Sequence, residues 1–64
     1  MKGIVQHYDI RKGYGFIRGD DGTIIFVHKS AIPFFDIFLT PGEAVEYQIG
    51  TSQRGPKAID VKKL

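Results

Sequence analysis

The sequence contains no cysteine, and its two histidines, His7 and His28, have no neighbours at a metal-ligand spacing. Disulfide bonds, thiolate chemistry and a zinc knuckle are therefore excluded as sources of stability. No apolar run approaches the ~18 residues needed for a membrane helix, and no basic segment followed by an apolar stretch opens the chain. The expected location is the cytoplasm, without a membrane partner. Charge of either sign is not in large excess. Nine Lys and Arg face seven Asp and Glu, for a net charge of +2, which is too small to imply an acidic partner by itself.

With 64 residues the chain is expected to form one domain, 1–64, burying roughly 60% of the surface its unfolded form exposes. Its core must hold without covalent help. Eight glycines and three prolines are spread along the chain and interrupt any long helix. Short strands fit what remains. Lys2–Asp9 is rich in β-branched and aromatic residues, Arg11-Lys12-Gly13 supplies a turn, and Tyr14–Arg18 follows as a second strand. Asp21-Gly22 marks another turn before a third strand, Ile24–His28. Lys29–Gly42 holds Pro33 and Pro41 without alternation and reads as a turn or 3₁₀ piece leading into a long loop.

Ala44–Ile49 alternates, with Val45, Tyr47 and Ile49 expected on one face and Glu46 and Gln48 on the other. Gly50–Pro56 reads as a polar loop and Lys57–Val61 as a short fifth strand. Five short strands suit an all-β fold, a five-stranded antiparallel OB-fold barrel, because closure hides the edges of a small sheet.

Period-two alternation assigns the chemistry. In the second strand Gly15 and Ile17 face one way and Tyr14, Phe16 and Arg18 the other; in the third, Ile25 and Val27 oppose Phe26 and His28. If the aliphatic face is the core, four rings stand outside on adjacent strands, with Lys12 and Arg18 at their edges. Grouped exposed rings mark a contact surface. Unstacked bases offer matching π faces, each stack being worth ~1–3 kcal/mol, and phosphates match the cations. The alternative is that one face of these rings packs under a loop. Gly13 and Gly15 either admit a base close to the backbone or serve turn and bulge geometry.

Lys12-Gly13-Tyr14-Gly15-Phe16-Ile17 and Ile25-Phe26-Val27-His28 resemble the two ribonucleoprotein motifs of the bacterial cold-shock proteins and the related Y-box domain. Gly3-x-Val5, Asp21-Gly22, Ser30-Ala31-Ile32 and Gly55-Pro56-x-Ala58-x-Asp60-Val61 extend the similarity along nearly the whole chain. The resemblance implies an OB-fold barrel that binds single-stranded RNA or DNA with low sequence selectivity, as an RNA chaperone or antiterminator. It assigns stacking to Tyr14, Phe16, Phe26 and His28, and a backbone contact to Lys12. His7, Tyr8, Lys29, Arg54 and Lys57 complete the candidate contact set; neither cofactor nor metal is implied.

Four positions depart from the family pattern. His7 stands in place of tryptophan, Gln6 of lysine, Asp9 of asparagine and Lys29 of a stacking aromatic. Two lost platforms would lower affinity by roughly one to four orders of magnitude, offset in part by the His7 imidazole and a Lys29 phosphate contact. His7 reads equally as an ordinary surface-strand residue. The segment Ile32–Leu39 is more apolar than the family's loop. It either caps the barrel, supplies Phe34, Phe35 or Phe38 as replacement rings, or forms a protein contact. A monomer is expected, with Phe34–Phe38 the surface through which a dimer would form.

Catalysis is not expected. No nucleophile is joined to a His and acid pattern, and Gly13-x-Gly15 lacks the third glycine and the βαβ context of a dinucleotide site. Asp20 and Asp21 read as solvated turn residues. The competing function is a protein-binding module that docks on a ribosome or polymerase through the same rings.

Overall fold

The computed structural model describes residues 1–34 and 39–64. Among them are five strands, β1 (Lys2–Asp9), β2 (Tyr14–Gly19), β3 (Ile24–His28), β4 (Ala44–Ser52) and β5 (Gly55–Lys63), with a 3₁₀ turn at Lys29–Ala31. They close into a barrel in the order β1-β2-β3-β5-β4. Neighbouring strands are antiparallel except at the β3–β5 seam, where Phe26↔Lys57 and Val27↔Ala58 pair in parallel.

The inward-facing residues are those that alternation selects. Val5, Ile17, Ile25, Val27, Val45, Tyr47, Ala58 and Val61 form the buried core, joined by Ile32 and Leu39 from the β3–β4 connection. Such a core is held by apolar burial at about 25 cal/mol per Å². Ile32 and Leu39, which flank the segment between them, are thus both buried against the core. Phe34 stands 84% exposed. The roles considered for Phe35 and Phe38 lie outside the described residues.

Two bulges adjust the alternation. In β1, Val5 pairs with Ile17 but His7 with Phe16, so Gln6 is the extra residue and both Gln6 and His7 face solvent. In β5, Gln48↔Ile59 is followed by Glu46↔Lys62, which accommodates Asp60 at φ 52°. That left-handed residue lets Ala58 and Val61, three apart, both point inward.

Two expectations for the C-terminal half change. The polar loop expected at Gly50–Pro56 is mostly strand: β4 runs to Ser52, β5 restarts at Gly55, and only Gln53 and Arg54 turn between them. This hairpin projects beyond the core, so no apolar alternation marks it. The Ser52 hydroxyl donates to the Gly55 carbonyl at 2.7 Å and closes the turn. Ile49, expected inside with Val45 and Tyr47, is instead 50% exposed. β1 and β4 pair only from Lys2↔Glu46 to Ile4↔Ala44, and Ile49 lies beyond the reach of β1.

Candidate nucleic-acid interface

The register of the sheet places the rings. His7 pairs with Phe16, Phe16 with Phe26 and Phe26 with Lys57, giving one outward-facing row across β1, β2, β3 and β5. Tyr14 and His28 pair in the neighbouring row. Phe26 is the centre: its ring centroid lies 5.8 Å from Tyr14, 6.0 Å from Phe16 and 6.5 Å from His28. Tyr14 is tilted by 33° and His28 lies nearly parallel at 29°, whereas Phe16 meets Phe26 edge-on at 73°. These separations fall in the range of favourable aromatic pairs, so the rings order one another.

The β4–β5 hairpin forms the opposite wall. Between it and the rings runs an open groove of about 880 Å³, lined by Tyr14, Phe16, Phe26 and His28 on one side and by Arg54 and Lys57 on the other. Ser30, Ser52, Gln53 and Pro56 also line it, and sequence reasoning missed all four. For Gln53 and Pro56 the signal was present but unused, because a polar stretch read as loop hides a hairpin aimed at the platform.

His28 is oriented by its neighbour. Its Nδ1 accepts from the Ser30 backbone N–H at 3.1 Å and lies 3.0 Å from the Ser30 hydroxyl, which caps the 3₁₀ turn. The Nε2 edge is left for contact. Lys12 rides on a turn held by Asp9, whose carboxylate accepts from the Arg11 and Lys12 N–H groups at 2.9 and 3.1 Å. That turn delivers the chain into Tyr14, while Lys29 directly follows His28. Lys12 and Lys29 are both exposed and lie close to Tyr14 and His28 along the chain, but neither lines the groove. Among the described residues no carboxylate lies within ion-pair distance of Lys12, Lys29, Arg54 or Lys57, so their charge is available to a phosphate chain.

Both glycines of the first motif serve the chain itself. Gly13 has φ +78°, and a Cβ there would lie 2.9 Å from Cδ of Lys29, whose stem crosses it. At Gly15 a Cβ would run into the His7 carbonyl oxygen and come within 2.6 Å of the Tyr8 Cα. Turn and bulge geometry, rather than access for a base, accounts for them. Tyr8 pairs with Gly15, whose face is inward, and packs against the core. Burial raises its hydroxyl pKa above the usual 10.0. Of the ten candidates, six line the groove (Tyr14, Phe16, Phe26, His28, Arg54 and Lys57), while Tyr8 is turned away from the ring face because the bulge at Gln6 sets His7 outward and its successor inward.

Among the described residues no cluster of His, Asp or Glu could hold a metal, and no helix is long and apolar enough to cross a membrane.

Residues 1–64 match the model of the "cold-shock" DNA-binding domain. The chain is 44% identical over 63 residues to a cold shock-like protein of Thermotoga maritima, covering 97% of this chain and 96% of that one. It is 43% identical over 65 residues to cold shock-like protein CspC of Bacillus cereus, with both chains covered completely. With cold shock protein 1 of Lactiplantibacillus plantarum the identity is 46% over 61 residues, 92% of this chain and 91% of the relative. A match that runs from end to end, on a closed barrel with the motif rings gathered on one face, settles the ancestry: the chain belongs to the cold-shock domain family.

Proposed function

We propose that this protein binds single-stranded RNA or DNA in the groove between the β2–β3 rings and the β4–β5 hairpin, without catalysis. The observation that carries the reading is Phe26 in contact with three other rings on an open, outward-facing sheet surface. Bases would stack on Tyr14, Phe16, Phe26 and His28, while Lys12, Lys29, Arg54 and Lys57 meet phosphates. His7, beside Phe16, supplies a smaller platform at the β1 side. Because every base has a π face, such a surface discriminates weakly among sequences. Duplex is disfavoured, since its bases are already stacked. The family resemblance supports a cellular role as a monomeric cytoplasmic RNA chaperone or antiterminator.

The test is an anisotropy titration of labelled single-stranded oligonucleotides of several compositions against a duplex of the same length. Tight single-strand binding that weakens by ~1–3 kcal/mol in folded Phe16→Ala supports the reading. Equal affinity for duplex, or no binding by wild type, would replace it with a protein-docking role.

A further inference from the structure

The outward face does not end with the rings. Two residues further along β2 and β3, in the direction away from Tyr14 and His28, the register sets Ile4 opposite Arg18 and Arg18 opposite Ile24. Ile4 is 38% and Ile24 49% exposed, and Arg18 is exposed with no carboxylate at ion-pair distance among the described residues. Two large apolar side chains flanking an unneutralised guanidinium, continuous with the Phe16–Phe26 row, are not accounted for by the groove.

A second, smaller cleft of about 270 Å³ opens here, lined by Ile4, Gln6, Arg18, Pro41 and Gly42. Its far wall is held in place by the backbone: the Gly42 N–H donates to the Val5 carbonyl at 2.8 Å, and the Val5 N–H to the Glu43 carbonyl at 2.9 Å. Gln6 is the bulged residue of β1, so its amide faces outward at the cleft's edge.

Resting on the reading of the ring groove as a single-strand site, we infer that this cleft is an additional one-base subsite in which the Arg18 guanidinium stacks on a base held between Ile4 and Pro41. A guanidinium plane stacks on a base much as an aromatic ring does, which an ammonium cannot. The Gln6 amide offers both a donor and an acceptor to the base edge. The spacing fits: two residues of strand span about 6.7 Å, twice the ~3.4 Å between stacked nucleotides, so a strand leaving Phe16 reaches the cleft with its next unstacked base. Arg18 also places positive charge where the phosphate chain must leave the platform.

The decisive experiment is a length series. Labelled oligothymidylates of increasing length are titrated against wild type, Arg18→Met, Arg18→Lys and Ile4→Thr, with each variant's fold checked by circular dichroism and melting. For wild type, one added nucleotide beyond those that fill the ring groove should raise affinity by about five-fold or more, the low end of a stacked base. Arg18→Met and Ile4→Thr should both lose that step; Ile4→Thr should retain wild-type affinity for the shorter oligomers, and Arg18→Met should weaken them no more than the lost charge of Arg18 does at low salt. Arg18→Lys should also lose most of the step although its charge is kept. Variants that weaken all lengths equally would show Arg18 acting only as a distant charge and would overturn the subsite, as would a step of unchanged height. If wild type binds short oligomers without any such step, the subsite falls and the groove stands. If it binds no length, both fall.

Discussion

Phe26→Ala should damage this protein more than Phe16→Ala, in stability as well as in binding. Among the described residues Phe16 meets one ring, whereas Phe26 meets Tyr14, Phe16 and His28 at 5.8, 6.0 and 6.5 Å. Each aromatic pair contributes ~0.5–1.5 kcal/mol beyond buried area, and the low end applies to a surface cluster. The two extra pairs then make Phe26→Ala about 1 kcal/mol more destabilising than Phe16→Ala. A domain of this size has roughly 3–10 kcal/mol in total, so both variants should remain folded in the cold. Urea unfolding followed by circular dichroism measures the difference, since the chain has no tryptophan to report it. In a double-mutant cycle Phe16 and Phe26 should couple by ~0.5–1.5 kcal/mol. For binding, Phe16→Ala removes one stack of ~1–3 kcal/mol; Phe26→Ala removes one and releases three neighbouring rings, so its loss should be at least as large. Equal stability of the two variants with zero coupling would refute the mutually ordered platform.

Other outcomes follow from the same geometry. If three to five cations contact phosphates, log affinity should fall with log salt at a slope of about −2 to −3.5, and Lys57→Gln should make it shallower by ~0.7; an unchanged slope removes Lys57 from the path. His7→Trp enlarges the ring beside Phe16 and should tighten binding with the salt slope unaltered, as read by the same titrations. Asp60 at φ 52° tolerates Asn or Gly, but Asp60→Val should lower stability by ~1–2 kcal/mol in urea unfolding; a neutral result would mean that the bulge relocates. Tyr47 is held above its usual 10.0 by burial and, less, by the Asp21 and Asp20 carboxylates. The folded state therefore keeps a proton that the unfolded chain gives up first, so stability should be intact below pH 10 and decline as pH rises beyond it. Thermal melting from pH 8 to 11 should show a shallower decline in Tyr47→Phe than in wild type, and identical profiles would count against the assignment.

What could be read from the residues depended on whether one side of a strand meets the core. Tyr14–Arg18 and Ile24–His28 alternate strictly, so their inward aliphatics and outward rings were legible without any structure. The β4–β5 hairpin was not, because solvent surrounds its tip and imposes no pattern on Gly50–Pro56; with it went the groove's second wall. Bulges were also hidden. Nothing in Gln6-His7-Tyr8 says that two successive residues face outward and the third packs inward, since that choice is made by the Gly15 backbone pressed against His7. Ile49 misled for the converse reason: its alternation continues after its covering strand has ended.

The parallel β3–β5 seam bears on the order in which the site is assembled. β1, β2 and β3 are joined by short turns, and their pairing is local; Phe26 and Lys57 meet only after the whole β3–β4 connection and β4 have been laid down. Loop closure of that span carries the slow, entropically costly part of folding. The rings can therefore gather on the early meander, whereas the hairpin cations arrive with the last step. A ligand that requires both walls recognises only the closed form, and linkage then makes it a fastener: at one hundred times its dissociation constant it adds about 2.7 kcal/mol to the stability of the closed barrel. For so small a domain that is a large fraction of the total, and occupancy becomes a means of keeping the chain folded.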